Sequence, residues 1–153
     1  GYARGARPFP LCAAPMYRIA ILIILVALPG AAQPTLAITQ PTGPGSFDLQ
    51  VSGLSGTSAQ VFNLISLYPY APTGTGAFFG LGLTNSHLLV DQILTPLPTP
   101  PFHDQGDAMG NYTFAFTVGA IGFSFPIDAV TVEWDPVMGV LGVSNVVNLM
   151  LSF

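Results

Sequence analysis

The chain has 153 residues, of which 50% are hydrophobic and 7% are charged, with a formal net charge of −4 at pH 7. This length suits one domain after removal of any export segment. Every basic residue precedes Gln33, so residues 33–153 carry seven acidic side chains, no Lys or Arg, and a net charge of −7 with His neutral. Nucleic acids and anionic lipid surfaces are bound through cationic side chains, so the composition argues against both partners.

The first predicted element is an export signal at residues 16–32. Met16-Tyr17-Arg18 supplies a short positive start, residues 19–28 contain no polar side chain, and Pro29-Gly30 ends the apolar run. A run of this length suits a signal-peptide core, whereas a membrane-spanning helix needs about 20 residues. Small residues, Gly30 and Ala32, occupy the positions that a signal peptidase requires. We therefore expect a signal-peptide helix, cleavage before Gln33, and a mature protein that is not inserted in a membrane.

The segment before the signal has no periodicity. We interpret residues 1–15 as an unstructured upstream extension, with a long signal-peptide n-region as the alternative. The single cysteine, Cys12, lies in this segment. Residues 33–153 therefore have neither a disulfide nor thiol chemistry, and no cysteine follows the signal to accept a lipoprotein anchor.

Residues 33–153 consist of short apolar runs, several of them alternating, separated by Gly and Pro. The predicted strands are 35–40, 46–52, 59–68, 87–94, 111–118, 127–135 and 146–153, with a turn at 53–58 and long loops at 69–82 and 95–110. This pattern predicts an all-β domain, an antiparallel two-sheet sandwich of about seven strands, immunoglobulin-like in arrangement. A barrel is the alternative. The last strand either completes the sandwich or is cut short by the end of the sequence.

Alternation also predicts which side chains face the core. The predicted inward residues are Phe47, Leu49 and Val51; Tyr112, Phe114, Phe116 and Val118; and Val130, Val132 and Trp134. We expect Trp134 to lie between the sheets near Phe114, Phe116 and Leu149. Thr131, Glu133 and Asp135 are expected on the opposite, solvated face of their strand.

Several turn and core segments resemble a small β-sandwich domain common in secreted bacterial proteins, where it often closes the C-terminus. They are Gly45-Ser46-Phe47, Val51-Ser52-Gly53-Leu54, Tyr68-Pro69, Asp107-Ala108-Met109-Gly110-Asn111, Val132-Glu133-Trp134-Asp135-Pro136 and Leu141-Gly142-Val143-Ser144-Asn145-Val146-Val147. The resemblance covers most of residues 33–153 and implies the sandwich fold and an extracytoplasmic location, without catalytic residues. Glu133 departs from the pattern, in which Gln is expected.

The candidate catalytic groups are few. Ser55 would need an oriented base, only His87 and His103 are available, and Gly53-Leu54-Ser55-Gly56 lacks the spacing of a nucleophile elbow. Glu133 and Asp135 form a possible carboxylate pair but also fit a solvated strand face. We therefore predict no catalytic residues and no enzyme activity.

The stretch from His103 to Asn111 is a candidate metal site. Asp104, Asp107 and Asn111 offer oxygen ligands, but their spacing matches no calcium-binding loop. We favour a tight turn shaped by Asp107 and Asn111. Zinc bound through His87 and His103 would lack further ligands, so we predict no metal and no cofactor.

Aromatic residues flank or occupy the long loop at 69–82, namely Tyr68, Tyr70, Phe78 and Phe79. Two functional hypotheses follow. The first is an exported, non-catalytic structural or interaction module, secreted or at the cell surface, with an unknown protein or polysaccharide partner. The alternative is a carbohydrate- or polymer-binding module that uses these rings, favoured by an exposed coplanar pair and disfavoured by buried rings.

Overall fold

Two antiparallel sheets account for most of the fold in the computed structural model, which describes residues 33–55 and 59–153. The predicted extension 1–15 and signal segment 16–32 lie outside the described residues. The elements are β1 (Thr35–Thr39), β2 (Ser46–Ser52), β3 (Gln60–Ser66), α1 (Ser86–Ile93), β4 (His103–Gln105), β5 (Tyr112–Thr117), β6 (Ser124–Asp135), β7 (Gly139–Val143) and β8 (Val147–Ser152). The prediction of a β-rich, two-sheet sandwich is confirmed, with one helix added.

The first sheet has the order β1-β2-β5, and the second has the order β4-β3-β6-β7, with β8 also paired to β6. β6 is long enough to pair with β8 along its first half and with β7 along its end. In the gap between β7 and β8, the Ser144 N–H donates to the Thr131 carbonyl, and the Ser144 hydroxyl accepts the Thr131 N–H. β7 and β8 thus lie end to end along one edge of β6.

The first core lies between the sheets. Phe47, Leu49 and Val51 of β2 are buried and Gln50 is exposed, as the alternation predicts. The other buried members are Leu36, Ile38, Leu54, Val61, Tyr112, Ile127, Ala129 and Leu151. The outer face of the first sheet carries small or polar residues, which is why period-two alternation is visible in its strands.

A second core lies on the other face of the second sheet, and the predicted strand at 87–94 is wrong because this segment is helix α1. Leu89 and Ile93, one helical turn apart, pack with Leu64 and Val130 of that sheet. A short apolar run fits a strand or a buried helix equally well by composition. The side chain of Gln92 bonds this helix to β3, as described below.

Two strands were not predicted. β4 has three residues and follows a proline-rich stretch, and β7 follows the turn at Asp135, whose carboxylate accepts the N–H groups of Val137 and Met138. β6 also begins earlier than predicted and includes Pro126. The nitrogen of Pro126 points towards the β3 side of β6, at a level where β3 has already ended at Ser66. The missing N–H of Pro126 therefore interrupts no hydrogen-bond ladder.

The side-chain directions predicted for the end of β6 are wrong. Glu133 is 1% exposed and Thr131 is fully buried, and both point between the sheets with Ala129. Trp134 is half-buried on the opposite face, near Gly139, and belongs to neither core. Because the second sheet is covered on both faces, both sets of β6 side chains are buried, and alternation does not show which set meets the other sheet.

Candidate functional site

The buried carboxylate of Glu133 holds the turn after β2. One of its oxygens accepts both the N–H of Ser55, at 2.6 Å, and the Ser55 hydroxyl, at 2.5 Å. A serine hydroxyl that donates to a carboxylate is one feature of an activated nucleophile. Here the same carboxylate oxygen also accepts the backbone N–H of Ser55. The contact therefore fastens the turn to β6.

A second buried carboxylate, Asp128, anchors the long loop at 69–82. It is fully buried and accepts the Tyr70 N–H at 2.8 Å and the Asn148 side-chain amide at 2.7 Å. Both partners are neutral donors, and such bonds to a carboxylate are stronger than bonds between neutral groups. Asp128 thus joins the loop, β6 and β8.

Two of the candidate metal ligands, His103 and Asp107, bond to the backbone. His103 is buried, its Nδ1 donates to the Thr95 carbonyl at 2.7 Å, and its ring stacks on Phe62 with centroids 4.1 Å apart. The Asp107 carboxylate accepts the N–H groups of Met109 and Asn111, which is the turn role that the sequence favoured. Within residues 33–55 and 59–153, no three His, Cys, Asp or Glu side chains come together as a metal site.

The loop aromatics divide into two groups. Tyr68 and Tyr70 are 50% and 46% exposed. Phe78 and Phe79 are partly buried against the second core and form an edge-to-face pair with centroids 5.1 Å apart and an interplanar angle of 66°. The tyrosines therefore have the exposure that sugar stacking needs, whereas the phenylalanines also serve the core.

Phe78 and Phe79 line a cleft of about 630 Å³ between the loop at 74–80 and the segment at 143–146, with Gln33 at its edge. Gly80 has φ +88°, and a Cβ there would lie 2.7 Å from Val146 Cγ2, so the wall requires glycine. The polar side chains of Ser144 and Asn145 are bonded to the backbone of Thr131 and Leu36. The polar groups of these two side chains are therefore already bonded within the fold.

A ladder of phenylalanines at one end of the sandwich was not predicted. Its near-parallel rings run from buried Phe47 to Phe123, which is 48% exposed, with successive centroids 5.2–6.3 Å apart. The rings are Phe47, Phe116, Phe153 and Phe123, with Phe125 and Phe114 beside them. The ladder brings apolar surface to the exterior at Phe123.

Comparisons with protein-family models, with curated proteins and with solved structures found no significant match for this chain. The predicted likeness to a secreted sandwich domain therefore stays a prediction. In the part of the chain described here, no helix has the length and hydrophobicity to cross a membrane.

Proposed function

We propose that the chain is an exported, non-catalytic β-sandwich, immunoglobulin-like in arrangement, which acts as a structural or interaction module outside the cytoplasm, secreted or at the cell surface. The observation that carries the proposal is the position of the fold relative to the predicted cleavage site. The first described strand begins at Thr35, and the members of both cores among the described residues follow it, so cleavage before Gln33 would remove none of them.

Neutral side-chain contacts join distant parts of the fold. Three neutral side-chain amides each bind the N–H and the carbonyl of one distant residue: Asn145 binds Leu36, Gln40 binds Ser152, and Gln92 binds Ile65. Residues 33–153 contain no cysteine and no Lys or Arg. Their stability therefore depends on neither an oxidising compartment nor Lys or Arg ion pairs.

The positions of the acidic and histidine side chains support a structural role. Glu133, Asp128 and His103 are buried, and each bonds to the backbone of a loop that it holds against the second sheet. A catalytic site would leave such groups facing a concave space where a substrate binds. These three contacts stabilise the fold instead.

Export is tested with the full chain in a secreting bacterial host. Ile24→Arg places a charge in the apolar run and should retain the product in the cytoplasm, because the run must be apolar to act as a signal. Ala14→Arg adds the same charge outside the signal and is the matched control. Equal localisation of the two variants would contradict the proposal.

The half-exposed pair Tyr68 and Tyr70 favours a second candidate, a carbohydrate- or polymer-binding module. Aromatic rings with one free face stack on sugar rings, and each contact is worth about 0.5–1.5 kcal/mol by analogy with aromatic pairs. Pull-down on insoluble cellulose and chitin should then be reduced by Tyr68→Ala and Tyr70→Ala. Phe123→Ala, a similarly exposed ring outside the loop, should bind as the unaltered chain does. The absence of binding in the unaltered chain would remove these two polymers as ligands.

A further inference from the structure

The free edge of the first sheet is β5, and its backbone bonding fixes which groups it presents. β5 pairs with β2 alone among the described strands, and the Val118 N–H donates to the Gly45 carbonyl on that side at 2.7 Å. Because bonding alternates along an antiparallel ladder, Phe114 and Phe116 also bond towards β2. The N–H and carbonyl groups of Thr113, Ala115 and Thr117 therefore point away from β2 along the open edge.

The sequence of this edge is the same in both directions around its centre. Thr113-Phe114-Ala115-Phe116-Thr117 has one residue type at each pair of positions equidistant from Ala115, and β5 contains no charge, proline or glycine. Natural sheets usually guard an edge with such residues, because an unguarded edge pairs with another strand.

We propose that β5 pairs with β5 of a second copy of this chain, antiparallel, around a two-fold axis through Ala115. In this register Ala115 faces its own equivalent and Thr113 faces Thr117, so all the edge N–H and carbonyl groups of both copies are bonded. Phe114 faces Phe116 in the closer, non-hydrogen-bonded positions. Aromatic and threonine pairs are among the favourable cross-strand pairs, and no like charges meet within the paired strands.

Two other edges, β1 and β4, are less suited to pairing than β5. β1 has a similar pattern, Thr35-Leu36-Ala37-Ile38-Thr39, with Thr, Ala and Thr at the same spacing as in β5. However, the Asn145 amide already binds the N–H and carbonyl of Leu36 that point away from β2. β4 is three residues long and carries Asp104, features that guard an edge. A contact in which both copies use the same edge is self-complementary, so it forms a two-fold dimer and not a filament.

The dimer is expected to be weak. Pairing one short strand buries less than the roughly 1,200–2,000 Å² of a stable interface, and we expect a dissociation constant on the order of 10–100 μM. The proposed dimer gives the interaction module a partner, a second copy of the same chain, and in this respect it rests on the proposed function. Its readout is association, whereas the role's first test is localisation, so the failure of one is distinguishable from the failure of the other.

Sedimentation velocity of the full chain at increasing concentration tests the proposal. Ala115 is exposed, so Ala115→Lys should preserve the fold while raising the dissociation constant at least about tenfold, because two like charges then meet on the axis. Ala37→Lys makes the same change on the closed edge and should leave dimerisation unaltered. A monomer at all concentrations would overturn the proposal. A dimer that Ala115→Lys leaves unchanged would also overturn it, and this is the result expected if the apolar residues 19–28 caused the association.

Cross-linking decides the question if Ala115→Lys does not fold. In a Cys12→Ser background, Ala115→Cys places two thiols at facing positions with Cα atoms about 5.5 Å apart, within the range that a disulfide spans. Oxidation should give a covalent dimer for Ala115→Cys and far less for Ala37→Cys. Equal yields from the two variants would contradict the proposed axis.

Discussion

The Ser55 hydroxyl and the Glu133 carboxylate, 78 positions apart in the chain, form a 2.5 Å hydrogen bond at the margin of the core between the sheets. Ser55 is exposed, whereas Glu133 is 1% exposed. Residues 33–153 contain no Lys or Arg, so hydrogen-bond donors, and not an ion pair with either residue, hold this carboxylate. The bond ties the turn after β2 in the first sheet to β6 in the second.

Glu133→Ala should lower the free energy of unfolding by about 2–4 kcal/mol, because it opens a cavity and leaves the Ser55 N–H without its acceptor. Glu133→Gln keeps an acceptor oxygen and nearly the same volume, so its loss should be smaller. Urea denaturation at pH 7 measures both, with Asp91→Ala on the exposed side of α1 as the control. Equal losses for Glu133→Ala and Asp91→Ala would show that the Ser55 contact contributes little.

Trp134→Ala should cost about 1–2 kcal/mol, less than the 3–5 kcal/mol typical of a core aromatic, because the ring is half-buried and lies outside both cores. Leu64→Ala removes a fully buried side chain from the second core and should cost about 2–5 kcal/mol. Denaturation curves of the two variants rank them. A greater loss for Trp134→Ala would place the indole in a core after all.

Tyr112 should make the protein sensitive to alkaline pH. Burial, reinforced by the nearby Asp104 carboxylate, raises the pKa of Tyr112 to about 12, and its buried hydroxyl has no hydrogen-bond partner among residues 33–55 and 59–153. The neutral form is favoured in the folded state, so this stabilisation is complete below pH 10 and is lost as the pH rises from 10 towards 12.

Tyr112→Phe removes both effects. The variant should match or exceed the unaltered chain in stability at pH 7, by up to about 1 kcal/mol, because an unpartnered polar group is removed. It should also lose less stability between pH 9 and pH 11. Unfolding free energies at the two pH values, with Tyr70→Phe as an exposed control, test this. The same alkaline loss in Tyr112→Phe as in Tyr70→Phe would assign the sensitivity to another group.

Gln92 should be the residue that docks α1. Its side-chain amide accepts the Ile65 N–H at 2.7 Å and donates to the Ile65 carbonyl at 2.9 Å, where β3 runs beyond the end of β4. Gln92→Ala leaves both groups unpaired and should cost about 1–3 kcal/mol. Gln50→Ala, at an exposed glutamine bonded to Asp48, should cost less than 0.5 kcal/mol. Similar values for the two variants would mean that apolar packing alone holds the helix.

The sequence predicts the first sheet better than the second for a physical reason. β2 and β5 have one solvent-exposed face, so alternation shows their inward residues, Phe47, Leu49 and Phe114 among them. β6 is covered on both faces, so its sequence does not show that Glu133 points between the sheets. The spacing of Leu89 and Ile93 is a helical signal, but it is too short to exclude a strand.

Side-chain hydrogen bonds are harder still to predict from the sequence, because they join residues that are distant in the chain. Nothing near Ser55 indicates that Glu133 will accept its hydroxyl, and nothing near Leu36 indicates Asn145. The symmetric sequence around Ala115 is visible in the chain, yet its meaning depends on β5 being an edge strand. Such assignments require the topology.

The mass and N-terminal sequence of the protein that a secreting host releases from the full chain test the central claim, export of an intact sandwich, most directly. The account predicts a product that begins at Gln33, within about two residues, with both cores retained. A released product that still contains residues 19–28 would contradict it.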